Sequence, residues 1–418
     1  MSETVQVELE GVLSVDNVER AWAAVKANDG AAGVDRKTVR ETEEHLQRHW
    51  EAIREKVMRG EYRPAAVRAV EIPKASGGSR WLGIPTVQDR LIQHALQQVL
   101  STAFDGEMSE HSYGFRPNRS AHDAVTAARG YVRAGKVWVV DIDLKSFFDQ
   151  VNHDRLMQLL GRKIADRRVL QLIGRYLRAP VRYADGRQER RGRGTPQGGP
   201  LSPLLANLYL DPLDKELERR GVAFVRYADD IAVFVASARA AERVLASITA
   251  WLSKHLDLEV NAAKSGSGRS GDSQLLGYRI HDNGDVSPAP KALRRLKQRV
   301  RELWDARQSL TSRELRTQWQ RYIRGWWNYF GYANIRHAVH RLSGWIRRHM
   351  RKCFWLRWHN RHGRRKALYT LGVRGRRLGV AGCRLGAWRM SRHVVVQQAL
   401  KTTTLDRYGF GLPWALAG

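Results

Sequence analysis

Two apolar runs separated by a charged turn mark the middle of the chain: Val222-Ala223-Phe224-Val225, then Arg226-Tyr227-Ala228-Asp229-Asp230, then Ile231-Ala232-Val233-Phe234-Val235. Such runs on either side of a short polar break predict strand, tight turn, strand. A second apolar start, Val137-Trp138-Val139-Val140, predicts a buried strand with Asp141, Asp143 and Asp149 at or just past its end. Residues 67–72 predict a strand, Ala75-Ser76-Gly77-Gly78-Ser79 a hairpin turn, and Arg80-Trp81-Leu82 the start of the return strand. Elsewhere the spacing is helical. Val18, Trp22 and Val25 share a face within 15–60, a stretch broken by a turn at Gly33-Val34-Asp35. Helices are predicted over 89–100 (amphipathic), 121–134, 154–161, 167–177 and 202–217, and over 238–256 on the pattern Ala241, Leu245, Ile248, Trp251, Leu252. Residues 182–193 form a basic, hairpin-like piece. Residues 266–273 are rich in Gly and Ser and read as a mobile loop, followed by a short strand over 275–280. Pro288 and Pro290 mark a boundary, after which Leu293, Leu296, Val300 and Leu303 put one apolar face on a helical unit over 291–358.

Composition narrows the class. The 418 residues allow two or three domains with real cores. Lys and Arg number 72 against 42 Asp and Glu, a formal charge of +30. That excess points to a polyanionic partner, RNA or DNA by default and an anionic membrane surface as the competitor. No apolar run is long enough to span a bilayer, and the acidic N-terminus has no signal core, so a cytoplasmic protein is expected. Cys353 and Cys383 are the two cysteines, too few for a four-ligand zinc site or a disulfide framework.

The carboxylates carry the candidate chemistry. Two adjacent acids at a buried hairpin tip repel each other and raise each other's pKa unless a positive charge sits with them. A divalent metal is the simplest remedy, and Mg²⁺ favours carboxylate oxygen together with water and phosphate. If the 137–142 strand neighbours the hairpin, Asp143 joins Asp229 and Asp230 around one metal cluster, the arrangement of a two-metal phosphoryl-transfer centre. The plain alternatives are an Asp-Asp surface turn, and helix or loop caps for Asp141 and Asp149. Lys74 and Arg80 flank the 75–79 turn and suit a triphosphate; a solvated basic hairpin is the other reading. Arg116 and Arg119, in a loop with Gly114, Pro117 and Asn118, suit phosphate contact. Gln197-Gly198-Gly199 lets backbone approach a ligand closely.

Asp143-Leu144-Lys145-Ser146-Phe147-Phe148-Asp149 with Tyr227-Ala228-Asp229-Asp230 resembles the palm of reverse transcriptases, and more closely that of bacterial group II intron reverse transcriptases, or maturases. The supporting segments run in the family's order: Ile72-Pro73-Lys74 through Arg80, Leu82 to Arg90, Ser112 to His122, Gly194 to Asn207, and Leu276-Gly277-Tyr278. Pro200 stands where an aliphatic residue is expected. Tyr322-Ile323-Arg324-Gly325-Trp326-Trp327-Asn328-Tyr329-Phe330 resembles the core of the maturase-specific domain, and Gly386 to Ser391 the end of the compact class, which lacks the Cys- and His-rich endonuclease module of longer relatives.

The resemblance implies an α+β right-hand polymerase fold, with fingers and palm built on antiparallel sheet, then an α-helical thumb or maturase domain and a basic tail. The implied divisions are 1–60 (N-terminal extension, contacting template RNA), 61–140 (fingers with the first part of the palm), 141–288 (palm), 289–358 (thumb) and 359–418 (DNA/RNA-binding region). It implies RNA-directed DNA polymerase activity with two Mg²⁺ held by Asp143, Asp229 and Asp230, Mn²⁺ being a possible substitute. Lys74, Arg80, Phe148 and Gln197 would bind the nucleotide, Phe148 excluding a 2′-hydroxyl, although either Phe147 or Phe148 could be plain core. Arg116, Arg119, Gly277, Tyr278 and Lys264 would hold template and primer, a solvated loop lysine being the other reading of Lys264. The expected partners are group II intron RNA, an RNA template and DNA primer, target DNA and deoxynucleotides, with splicing and retrohoming as the biological role and no membrane. Monomer and homodimer both stay open.

The tail has its own signature. Neither Asp nor Glu occurs between Glu314 and Asp406, and nine of the 14 tryptophans lie from Trp304 onward. Arg361, Arg364, Arg365, Lys366, Arg374, Arg376 and Arg377 make a cationic patch suited to nucleic acid. The rival readings are an RNA-directed RNA polymerase on the same palm, a splicing factor without polymerase activity, and a domesticated relative serving defence or DNA repair.

Overall fold

The computed structural model describes residues 7–73, 78–333 and 336–415. The chain forms two compact units, Met1–Ser273 and Gln274–Gly418. Ten strands occur among the described residues: β1 (Val67–Pro73), β2 (Ser79–Ile84), β3 (Trp138–Ile142), β4 (Val181–Arg182), β5 (Gln188–Glu189), β6 (Ala223–Tyr227), β7 (Asp230–Val235), β8 (Gly266–Arg269), β9 (Tyr278–Ile280) and β10 (Val286–Pro288). With the helices between and after them the class is α+β, several sheets followed by helical regions.

The first unit holds two four-stranded sheets. One has the order β2-β1-β4-β5, the other β6-β7-β3-β8. In the second sheet β6 and β7 are the expected hairpin, and β3 lies antiparallel beside β7 with Ile142 opposite Ile231. The neighbour relation that would bring Asp143 to the acidic turn is therefore present. Phe224, Ile231, Val233, Val140 and Ile142 are buried, so the sheet has a full apolar core beneath it.

Two expectations fail here for reasons of packing. The Gly- and Ser-rich piece at 266–273 is not simply a loop: Gly266–Arg269 is a strand paired with Trp138 to Asp141. Its pairing satisfies backbone groups that the edge of β3 would otherwise expose. The helix expected over 89–100 runs Val87–Phe104, but its polar residues are not left to solvent as an amphipathic pattern implies. Leu91, Ile92, Ala95, Leu96 and Leu100 are buried, and so are the polar side chains of Asp89, Arg90, Gln93 and Ser101. The helix Val15–Asn28 packs against it, and Asn17 Nδ2 donates to Ala95 O at 3.0 Å. A central helix of this kind keeps buried polar groups only where they are hydrogen-bonded. Asp89 meets that condition by accepting from the Tyr62 and Thr86 hydroxyls, each at 2.7 Å.

The second unit begins with the hairpin of β9 and β10 and continues as helices Pro290–Leu303, Ser312–Phe330, Arg336–Arg357 and Arg361–Thr370, with shorter pieces after them. Its core is aromatic. Trp304 and Trp319 are fully buried and edge-packed at 5.4 Å, and Trp304 also meets Phe354 and Phe410. Phe410 belongs to the basic tail, so the tail shares this core. Among the described residues no helix is long and apolar enough to cross a membrane.

Candidate active site

The acidic turn stands on a buried network. Tyr227 pairs with Asp230 across the hairpin, leaving Ala228 and Asp229 at the tip, and Ala228 has φ +58°. A left-handed alanine costs about 1–2 kcal/mol and needs something to hold it. Arg226 supplies the restraint. Its guanidinium is fully buried, donates to Ala228 O at 3.0 Å and to Asn207 Oδ1 at 2.8 Å, and pairs with Asp214. Asn207 Nδ2 in turn donates to Gly114 O at 2.7 Å. Gly114 must be glycine, because a Cβ there would lie 2.5 Å from the Ala228 nitrogen. Backbone bonds from Arg226 N–H to His111 O and from Tyr113 N–H to Arg226 O complete the clamp, each at 2.8 Å.

Asp143 follows directly on β3. Continuing the register by one residue sets it opposite Asp230, and Asp141 shares its side of the strand. The Asp143 backbone is fixed from the 261–265 loop: its N–H donates to Ser265 Oγ at 2.9 Å, and Asn261 N–H donates to its carbonyl at 2.8 Å. Lys264 Nζ lies 3.8 Å from Asp143 Oδ2 and is otherwise exposed. Asp141 is neither a helix cap nor a loop cap. It sits inside β3, opposite Ala232 and Gly266, and accepts from the Ser273 hydroxyl.

The electrostatics follow from this gathering. Burial pushes the Asp229 carboxyl above its usual range, and Asp143 adds to the shift. Asp230 still reaches solvent, yet partial burial, then Asp229, Asp143 and Asp141, push it up to about 6. Among the described residues no three acidic, His or Cys side chains close on a single point. A hard divalent cation that keeps water and phosphate ligands needs only one or two carboxylates. The donor set, all oxygen and mutually repelling, fits such an ion.

Beside the turn a cleft of about 570 Å³ is lined by Arg80, Phe148, Asp149, Arg191, Gln197 and Asp229, among others. A second cleft of about 580 Å³ shares Arg80, Leu82, Phe148 and Gln197 and extends to Asn28, Arg90 and Phe115. Three of the four nucleotide candidates thus meet in one place with Asp229; the fourth, Lys74, lies outside the described residues. Of the two phenylalanines, Phe147 is core and Phe148 faces both clefts. Gly83 N–H donates to Gln197 O at 2.7 Å, and a Cβ on Gly198 (φ +120°) would sit 2.7 Å from Gly83 O, so these glycines allow the loop to lie flat on β2.

The remaining candidates divide. Arg116 is buried, its guanidinium donating to Asp105, Ser109 O and Ser112 O, so it braces its own loop instead of facing outward. Arg119 is half-buried, donating to Glu110 O and stacking over Tyr113. In the second unit, Tyr278 is fully buried and its hydroxyl donates to Tyr329 O, so its side chain does not face outward. Gly277 (φ +80°) lies against the Phe330 ring, while Tyr329 OH donates to Leu276 O at 2.8 Å. In the tail patch Arg361, Arg365, Lys366, Arg374, Arg376 and Arg377 are exposed, and Arg364 stacks on Trp355 at 4.6 Å. Sequence reading missed Asp214 as a partner of the turn. The signal was there: Leu210, Leu213, Asp214 and Leu217 fall on one helical face, an acid at an apolar position that demands a buried cation.

Residues 72–280 match the family "Reverse transcriptase (RNA-dependent DNA polymerase)", and residues 293–372 match "Group II intron, maturase-specific domain". The Escherichia coli K12 protein YkfC is 31% identical over 270 residues, 54% of this chain and 70% of that protein. The group II intron-encoded protein LtrA of Lactococcus lactis subsp. cremoris is 43% identical over 159 residues, 37% of this chain but 26% of that protein. A putative COX1/OXI3 intron 1 protein of Saccharomyces cerevisiae is 35% identical over 159 residues, 38% of this chain and 19% of that protein. The chain thus spans well under half of the two intron proteins' length. Among solved structures, telomerase from Candida albicans aligns at a TM-score of 0.44 with 13% identity, covering 75% of this chain and 64% of that one. The reaction class that goes with the first match is RNA-directed DNA synthesis, and the second ties the chain to group II introns. Carrying both matches in that order, the chain belongs to the group II intron-encoded reverse transcriptases and maturases.

Proposed function

We propose that this chain extends a primer 3′ end with deoxynucleotides on an RNA template, and that it binds group II intron RNA to promote splicing and retrohoming. The observation that carries the polymerase reading is the convergence of Asp229, Arg80, Phe148 and Gln197 on one cleft beside Asp143 and Asp230. In this reading 61–140 are fingers, 141–288 palm and 289–358 thumb, with 1–60 an extension against the template and 359–418 a nucleic-acid-binding region. Asp143, Asp229 and Asp230 would hold two Mg²⁺, which when bound would supply activation of the primer 3′-hydroxyl and neutralisation of charge on the pyrophosphate leaving group. Arg80, with Lys74, neutralises the triphosphate; Gln197 hydrogen-bonds the nucleotide; Phe148 lies under its sugar. Positioning and charge do the work, and no side chain has to act as a strong base. Arg119, Lys264 and the Leu276-Gly277 turn contact template and primer, with Arg116 and Tyr278 bracing those contacts from within. The test is primer extension on RNA with Mg²⁺, run with deoxynucleotides and ribonucleotides in parallel. Extension with deoxynucleotides supports the reading; tight RNA binding without extension moves the chain to a splicing role alone.

Two further outcomes follow. Phe148→Ala is expected to lower discrimination against ribonucleotides by roughly ten- to two-hundredfold, read as the ratio of kcat/KM for the two sugars. An unchanged ratio would return Phe148 to the core. With a formal charge of +30 and an exposed cationic tail, RNA affinity is expected to fall roughly 10³-fold or more between 50 and 200 mM salt, as measured by filter binding. A flat salt response would remove the phosphate backbone as the partner of that surface.

A further inference from the structure

Three arginines close the basic hairpin, and the structure treats them differently. Arg190 is exposed, and Arg193 pairs with Asp257 at 2.8 Å. Arg191 is half-buried in the wall of the 570 Å³ cleft and makes no hydrogen bond or ion pair with any described residue. Burial lowers its pKa, with Asp149 and Tyr183 opposing the shift. The segment that carries it is pinned. Gly194 N–H donates to Val151 O at 2.8 Å, Thr195 N–H donates to Phe148 O at 2.7 Å, and His153 Nε2 lies 2.8 Å from Gly194 O. Gly194 has φ +84°, and a Cβ there would meet the Asp149 Cα at 2.9 Å, so this segment lies directly on Phe148-Asp149.

A guanidinium drawn partly out of water without an ion-pair partner at contact distance is costly, Asp149 on the same cleft wall offsets that cost only in part, and a ligand that brings an anion relieves the rest. Arg80 and Asp229 line the same cleft as Arg191. We infer that Arg191 is a further nucleotide-binding residue, joining Arg80 in holding the polyphosphate of the incoming nucleotide through charge-assisted, bidentate hydrogen bonds. This rests on the polymerase reading of the cleft and adds to it a residue on the hairpin side. The other phosphate source within reach of such a cleft is the primer or template backbone.

The test compares full-length wild type with Arg191→Gln and Arg191→Lys. Arg191→Gln is expected to raise KM for deoxynucleotide at least about tenfold, with kcat within roughly threefold and primer–template affinity unchanged. Inorganic tripolyphosphate, titrated by calorimetry without primer, should weaken by a similar factor, and Arg191→Lys should recover most of both losses. Unchanged KM and tripolyphosphate affinity in the Gln variant overturn the inference. So does weakened primer–template binding at constant KM, which would put Arg191 on the nucleic-acid backbone. A lowered thermal midpoint with equal losses in both variants would make the arginine structural and overturn it as well. If wild type extends no primer, the polymerase reading falls, while the tripolyphosphate titration still decides the role of Arg191.

Discussion

Asp229→Asn is expected to lower primer extension at least roughly 10³-fold while RNA binding stays within a factor of about two. The change is nearly isosteric, and Asp229 sits at a hairpin tip whose conformation is set by other groups, chiefly the Arg226 bond to Ala228 O. What it removes is charge. Asp229 is pushed up by burial and by Asp143, and it pushes Asp230 up in turn. The metal-free variant should therefore unfold no lower than wild type, because one of several repelling carboxylates is gone. Lost activity at undiminished stability is the mark of a residue kept for function. Extension assays with saturating Mg²⁺, with and without a chelator, together with thermal unfolding, check both halves. A variant that extends at the normal rate would remove Asp229 from the centre.

Much of this site could be read from residues alone, because its parts are local in sequence. The β6–β7 hairpin needs only two apolar runs and a turn, and the β3 strand needs only its apolar start. That the two strands would be neighbours was a condition in the sequence and a register in the structure. The failures are long-range. Gly266–Arg269 has no strand propensity and becomes a strand because β3 offers an edge. The polar side chains Asp89, Arg90 and Gln93 of Val87–Phe104 read as one side of an amphipathic helix, yet they are buried, Asp89 accepting from Tyr62 and Arg90 donating to Gly30 O. Arg116 reads as a phosphate ligand from loop composition, but in the fold Asp105 and two carbonyls take its donors. Arg191 is one arginine in a basic run, and nothing in spacing distinguishes it from Arg190 or Arg193. Burial and partners do.

Asp214→Ala is expected to cost about 3–5 kcal/mol, because it leaves the Arg226 guanidinium buried without its carboxylate. For a unit of this size that corresponds to a fall of roughly ten degrees in Tm, measurable by calorimetry. Stability alone would not separate scaffold from function here, so a second variant is needed. Replacing both partners, Asp214→Leu with Arg226→Met, removes the charge pair together with the hydrogen bonds to Asn207 and Ala228. Apolar replacement of a buried ion pair is often neutral or stabilising, so this double variant should regain most of the lost Tm. It should not regain polymerisation. The left-handed Ala228 then has no donor on its carbonyl, and the turn that presents Asp229 relaxes out of register with Asp143. The expected result is a folded protein with RNA binding preserved and kcat down by at least about tenfold at similar nucleotide KM. If the double variant recovers both Tm and kcat, the pair is a packing device and the turn holds its shape without it.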